Sequence, residues 1–218
     1  MKTFFSLIIA ALYGFVKCSP ECSCPSLGSF LLRDAELNIF RDPWPFLRSP
    51  DRLYLKYIPF LEKFRDIACV ISDFIRMDSQ YHIERKVSWT NLSTTASIRY
   101  SINVTIQEVK KSKTEFSVIY RGESYDFETV FADFKCLIIR ISRTQAEQNQ
   151  EGTCLLWVKE KYLENPLRHC SFFYYIFCQG RYDDLKPKKG CDRNIKEKDT
   201  NAPTTGGNHG TGDTRPPR

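Results

Sequence analysis

Lys135-Cys136-Leu137-Ile138-Ile139-Arg140-Ile141, then Cys154-Leu155-Leu156-Trp157-Val158, then the aromatic run from Cys170 to Cys178, are the stretches whose reading decides the fold. The first two are short, apolar and rich in β-branched residues, which is the signature of strands; the third has helical length. A polar loop, Arg143 to Gly152, separates the two strands. Five of the nine cysteines fall between Asp133 and Cys191, so this region reads as strand, strand, helix and staple.

Working outward, residues 1–18 carry Lys2, an apolar core from Phe4 to Val16 and small residues before Ser19, the pattern of a secretory signal peptide. Lys17 and Pro20 interrupt that core well short of the roughly 20 apolar residues a membrane anchor needs. No later segment is long and apolar enough to span a bilayer, so no membrane partner is expected. Residues 19–192 are expected to form one domain and residues 193–218, rich in Asn, Thr, Gly and Pro, a disordered tail. Cleavage after Cys18 leaves Cys22, Cys24, Cys69, Cys136, Cys154, Cys170, Cys178 and Cys191. An even count in a secreted chain favours disulfides over metal ligation, because Cys22-Ser23-Cys24 has no matching pair downstream and the histidines are His82, His169 and His209.

Leu31 to Arg48 reads as a short amphipathic helix broken by Asp42-Pro43-Trp44-Pro45, with Trp44 either plugging a barrel end or lying in a surface turn. Leu53–Phe60 and Ile67–Met77 are strand candidates. From Tyr81 to Trp89 the alternation is clean: Ile83, Arg85, Val87 and Trp89 share one face, and Glu84, Lys86 and Ser88 take the other. In Ile98–Ile106, Tyr100, Ile102 and Val104 oppose Asn103 and Thr105. Asn103-Val104-Thr105 is a glycosylation sequon on the polar face, and Asn91-Leu92-Ser93 is a second one, so glycans are expected on Asn91 and Asn103. Glu115–Arg121 and Tyr125–Ile141 supply further strands, the latter long enough to bend near Asp133. A bulge-free register would turn Phe127, Phe131 and Leu137 inward. Roughly eight strands followed by one helix make an all-β antiparallel barrel the expected fold, with a β-sandwich as runner-up.

This skeleton resembles the tick salivary lipocalins of the histamine-binding family. Cys136-Leu137-Ile138, Leu155-Leu156-Trp157 and Cys170 stand in the order of that family's signature. The resemblance implies an eight-stranded lipocalin-like barrel with a short N-terminal and a C-terminal helix. It also implies disulfides Cys136 with Cys170 and Cys69 with Cys191, and, more weakly, Cys154 with Cys178. Spacing alone leaves on the order of 100 connectivities open. The family's amine-binding members carry Asp just after the first cysteine and Glu just before the Leu-Trp pair, where this chain has Leu137 and Leu155.

The net charge of +6 is spread along the chain apart from Lys186-Pro187-Lys188-Lys189, and no aromatic platform accompanies that cluster, so nucleic acid is not an expected partner. The motifs of nucleophile, phosphate-loop and zinc enzymes are missing, and neither an enzyme nor a cofactor is expected. Three roles compete. The first, implied by the resemblance, is a secreted, monomeric scavenger of a small host inflammatory mediator, a biogenic amine or an eicosanoid. The second is a loop-mediated inhibitor of a host plasma protein of complement or haemostasis. The third is a structural domain whose cavity is filled by its own side chains. The expected ligand-binding residues are Arg85, Trp89, Tyr100, Phe127, Phe131, Leu137, Leu155 and Trp157. An inward Arg85 without a partner would call for a ligand carboxylate, which favours an anionic lipid such as a leukotriene over histamine.

Overall fold

A computed structural model describes residues 35–60, 64–92, 98–109, 112–141, 154–163, 168–178, 182–185 and 197–199. The expected signal peptide, the Arg143 to Gly152 loop, Cys22, Cys24 and Cys191 lie outside the described residues. The barrel strands are β1 (Leu53–Pro59), β2 (Ile67–Ser79), β3 (His82–Asn91), β4 (Ile98–Glu108), β5 (Glu115–Tyr120), β6 (Glu123–Ala132), β7 (Cys136–Ile141) and β8 (Cys154–Lys159). Each pairs antiparallel with the next. The β8–β1 and β4–β5 pairings close the ring, which leaves no unpaired sheet edge between barrel strands. The sandwich alternative is therefore excluded.

The long Tyr125–Ile141 strand expected from sequence is in fact a hairpin. Asp133 ends β6, because its Oδ1 accepts hydrogen bonds from the backbone N–H groups of Lys135 (2.7 Å) and Cys136 (2.8 Å), a side-chain-built turn that needs no glycine. The β5–β6 turn does need one: Arg121 and Gly122 have φ of 51° and 84°, both left-handed, as a two-residue hairpin turn requires.

A second layer covers one wall of the barrel. Helix α2 (Arg168–Phe177) packs over β1, β6, β7 and β8, burying Tyr54, Tyr57, Ile138, Leu156 and Val158 on the outer face. These strands are thus buried on both faces, and this explains why Leu137-Ile138-Ile139 is continuously apolar and does not alternate. Disulfides Cys136–Cys170 and Cys154–Cys178 clamp the helix at its first turn and just past its last. Cys69 is also disulfide-bonded; its expected partner lies outside the described residues. Two short strands complete the sheet: β9 (Tyr182–Asp184) on β1, and β10 (Glu197–Asp199), parallel to β4. The latter falls inside the stretch expected to be disordered, so the tail holds at least one paired segment. It lies beside Arg99, Tyr100 and Ser101, where β4 has left its pairing with β5.

One end of the barrel is shut by the N-terminal segment. A 3-10 helix, Ala35–Arg41, and helix α1 (Trp44–Leu47) lie on either side of Asp42-Pro43. Trp44, 3% exposed, sits edge-on to Tyr81 of the β2–β3 turn at 5.3 Å, which makes it a plug rather than a surface turn. Arg41 fastens the segment, donating from Nε to the Thr129 carbonyl (2.9 Å) and pairing with Glu128 at 2.7 Å.

Candidate functional site

Inside the barrel, between the plug and a second apolar cluster around Leu55, Ile58 and Val70, lies a cavity of about 230 Å³. All eight barrel strands line it. Phe46 and Leu47 of α1 form the floor. Leu53, Val87, Ile102, Val104 and Ile106 form one side, and Phe116, Val118, Phe127, Leu137, Ile139, Leu155 and Trp157 form the other. Among its lining residues Ser72 and Arg85 are the polar ones, and Trp157 adds an indole N–H.

Five of the expected residues line this cavity: Arg85, Phe127, Leu137, Leu155 and Trp157. Three do not. Phe131 points the other way, because β6 and β7 slip register between Thr129 and Phe131, so that Val130 and Phe131 both face the outer layer. There Phe131 stacks on Phe173 of α2 at 4.2 Å. The bulge-free register assumed from sequence carried it inward; one extra residue reverses it. Trp89 and Tyr100 are cross-strand partners stacked on each other at 5.8 Å, one alternation step past Val87 and Ile102 toward the far end of the barrel, outside the cavity lining. Of the two sequon asparagines, Asn103 is exposed on β4, and Asn91 is half-buried at the end of β3.

Arg85 is fully buried, but it does not lack partners. Its Nε donates to Ser72 Oγ (2.9 Å), Nη1 to the carbonyls of Leu47 and Ser49 (both 3.0 Å), and Nη2 to the carbonyls of Asp51 and Ser72 (both 2.9 Å). A guanidinium has five N–H donors, and all five are used. Phe74 lies over the group at 5.7 Å. Burial pushes the Arg85 pKa down to about 10, with Asp73 and Asp51 opposing the shift, so the group remains charged at neutral pH. Three of the four carbonyls it holds belong to residues 47–51, running from the end of α1 toward β1, where Pro50 and the helix end leave the backbone without a ladder; the fourth is that of Ser72 on β2. Lys159, itself buried, straps the same segment through Ser49 Oγ (2.8 Å) and Asp51 (3.2 Å). The sequence placed Arg85 on the correct face; three of its five partners come from a segment more than 30 residues away, which periodicity does not report.

Near the first turn of α2, the ligating atoms of Asp133, Cys136, His169 and Cys170 lie within 4.8 Å of one another. Cys136 and Cys170 are joined as a disulfide, and His169 Nε2 pairs with Asp133 Oδ2 at 2.8 Å. This cluster joins the helix to the β6–β7 turn.

An up-and-down eight-stranded barrel, plugged at one end, flanked by a C-terminal helix and holding an apolar cavity, defines a lipocalin-type fold. The family model described as tick histamine binding protein matches residues 32–191, and the chain belongs to that family. Among solved structures, japanin from Rhipicephalus appendiculatus, bound to cholesterol, has a TM-score of 0.53 at 15% identity over 66% of this chain and 97% of its own. AM182 in complex with serotonin has a TM-score of 0.44 at 14% identity, covering 65% of this chain and 87% of its own. Lobster apocrustacyanin A1 has a TM-score of 0.44 at 8% identity, covering 77% and 89%. No curated protein sequence is significantly similar to the chain.

Proposed function

We propose that this protein is a secreted carrier that sequesters one small, predominantly apolar molecule in its barrel, and so removes a host mediator of inflammation. The observation that carries this reading is the cavity itself: about 230 Å³ enclosed by aliphatic and aromatic side chains, with no carboxylate in its lining. Membership of the family supports the sequestering role, since its relatives include proteins solved with serotonin and with cholesterol.

The charge of the ligand follows from the lining. An amine cation in a low-dielectric site needs a carboxylate, and Leu137 and Leu155 border the cavity where an acid would be required. Arg85 adds a like charge beside it. The expectation of an anionic lipid is also withdrawn, because it required an Arg85 with unmet donors, and all five are met. What suits this lining is an uncharged molecule.

The test is titration of histamine, serotonin, a leukotriene, a neutral sterol and host plasma proteins, read by calorimetry and by quenching of Trp157, which borders the cavity. One neutral apolar ligand per chain at a dissociation constant of about 1 μM or tighter, near −8 kcal/mol, is the expected result. Tight binding of histamine, or of a plasma protein alone, rejects the reading.

A further inference from the structure

We propose that the Ser72 hydroxyl is the specificity-determining group of the cavity, and that the ligand is a neutral molecule presenting a single oxygen acceptor to it, such as a ketone, ester or ether oxygen. This inference rests on the cavity being the ligand site.

Ser72 stands on β2 opposite Leu53 of β1 and Val87 of β3, both of which line the cavity, and it lines the cavity with them. Its Oγ accepts the Nε–H of Arg85 at 2.9 Å. A hydroxyl has one proton and two lone pairs, so this bond occupies a lone pair and leaves the proton to be donated elsewhere. The neighbouring cation repels that proton and polarises the O–H bond, which strengthens it as a donor and turns it away from the guanidinium. Among the described residues the structure records no acceptor for it. The other lining side chains with polar groups are Arg85, whose donors are all engaged, and Trp157, which carries a neutral indole N–H with no adjoining charge of the kind that polarises Ser72. The Ser72 hydroxyl therefore offers a ligand a polarised O–H donor at one defined place on the wall.

One donor selects the class of ligand. A buried carboxylate is held by two or three donors converging on it, and Ser72 supplies one, whereas a carbonyl or ether oxygen is satisfied by a single bond. The second Ser72 lone pair lies beside the guanidinium, which makes it a poorer acceptor for a ligand amine or hydroxyl hydrogen than the polarised O–H is a donor. Arg85 thus acts as a positioning residue for the Ser72 proton while tying down the plug.

The experiment uses 2-acetylnaphthalene and 2-ethylnaphthalene, two probes of nearly the same shape that differ by one acceptor oxygen, with 2-naphthoate as the anionic comparison. Tryptophan quenching gives each dissociation constant for the full chain and for Ser72→Ala and Ser72→Thr. The ratio of the two neutral affinities should move by roughly tenfold against the ketone in Ser72→Ala, the size of one charge-assisted hydrogen bond in a comparison that cancels the ketone's own desolvation. Ser72→Thr, which keeps the hydroxyl, should restore the ratio. In the unmutated protein the infrared carbonyl stretch of bound 2-acetylnaphthalene should fall to lower wavenumber than in alkane, a readout that stands even if Ser72→Ala does not fold. An unchanged ratio in Ser72→Ala, an alkane-like carbonyl stretch, or tighter binding of 2-naphthoate than of the ketone overturns the inference and leaves the carrier reading intact. Failure of both neutral naphthalenes to bind overturns the two together.

Discussion

Replacing Arg85 by methionine, a side chain of similar length with no donor, should destabilise the fold through the plug. Five acceptors lose their partner at once. They are not equivalent. The bonds to the Leu47 and Ser72 carbonyls are buried, so those oxygens are left unsatisfied in an apolar setting, at about 1–3 kcal/mol each. The Ser49 and Asp51 carbonyls are partly buried, and water reaches them at small cost. Ser72 Oγ borders the cavity and loses a single bond there. The sum is about 2–6 kcal/mol, a large part of the roughly 5–15 kcal/mol that a domain has in total. Arg85→Lys keeps the charge and up to three donors on one nitrogen, and should cost about half as much.

Urea unfolding at pH 7, followed by tryptophan fluorescence, measures both variants. Amide exchange locates the damage, which should concentrate in residues 44–51 because, among the described residues, that segment is then strapped only at Ser49 and Asp51, by Lys159 and, more weakly, by the exposed Lys161. An Arg85→Met variant within about 1 kcal/mol of the parent would refute the reasoning. So would a loss of stability with no rise in exchange at residues 44–51, since the cost would then arise elsewhere.

Phe131→Ala should lower stability by about 3 kcal/mol while changing the affinity for 2-ethylnaphthalene less than twofold, because Phe131 packs under α2 and not in the cavity; a tenfold loss of affinity would restore it to the site. Alkaline pH should weaken the same outer layer. Burial, then the charges of Tyr182, Tyr57 and Tyr175, push the Tyr174 phenol well above its usual range, and Tyr57 is raised chiefly by burial. Below about pH 10 both phenols are protonated in the folded and unfolded chain and their contribution is complete; above it the unfolded chain releases its protons first, and stability falls. Arg85, lowered to about 10, acts in the opposite sense there, so the measurement is the difference between the parent and Tyr174→Phe in melting temperature from pH 9 to 12: the variant should show the shallower decline, and parallel curves would contradict the assignment. Asn103 is exposed on β4, and protein secreted from a eukaryotic host should lose mass on deglycosylation, and less of it when it carries Asn103→Gln; an equal loss from that variant would show that Asn103 carries no glycan.

What the sequence made legible is what alternation and cysteine context control. The β3 pattern put Ile83, Arg85 and Val87 inside and Glu84 and Lys86 outside, and a regular ladder to β4 with no slip kept that parity from His82 to Asn91. Parity fails wherever a residue is inserted, and neither the slip before Phe131 nor the Asp133 turn involves a glycine or proline that would have announced it. Arg85 was misread for a different reason. Alternation tells which way a side chain points and nothing about what meets it, so an inward cation looked unpaired. A signal for its partners was nonetheless present in Pro43, Pro45 and Pro50: a stretch broken by three prolines cannot satisfy its carbonyls in a helix or a ladder, and if it is to close a barrel it must find donors from the wall. Arginine, with five donors in one plane, is the side chain best able to supply them from a single position. The plug therefore requires a cation at the edge of the cavity whatever the ligand is, and that requirement sets the ligand's character: an amine meets a charge of its own sign, an acid finds the donors already taken, and a neutral molecule is left with the hydroxyl of Ser72.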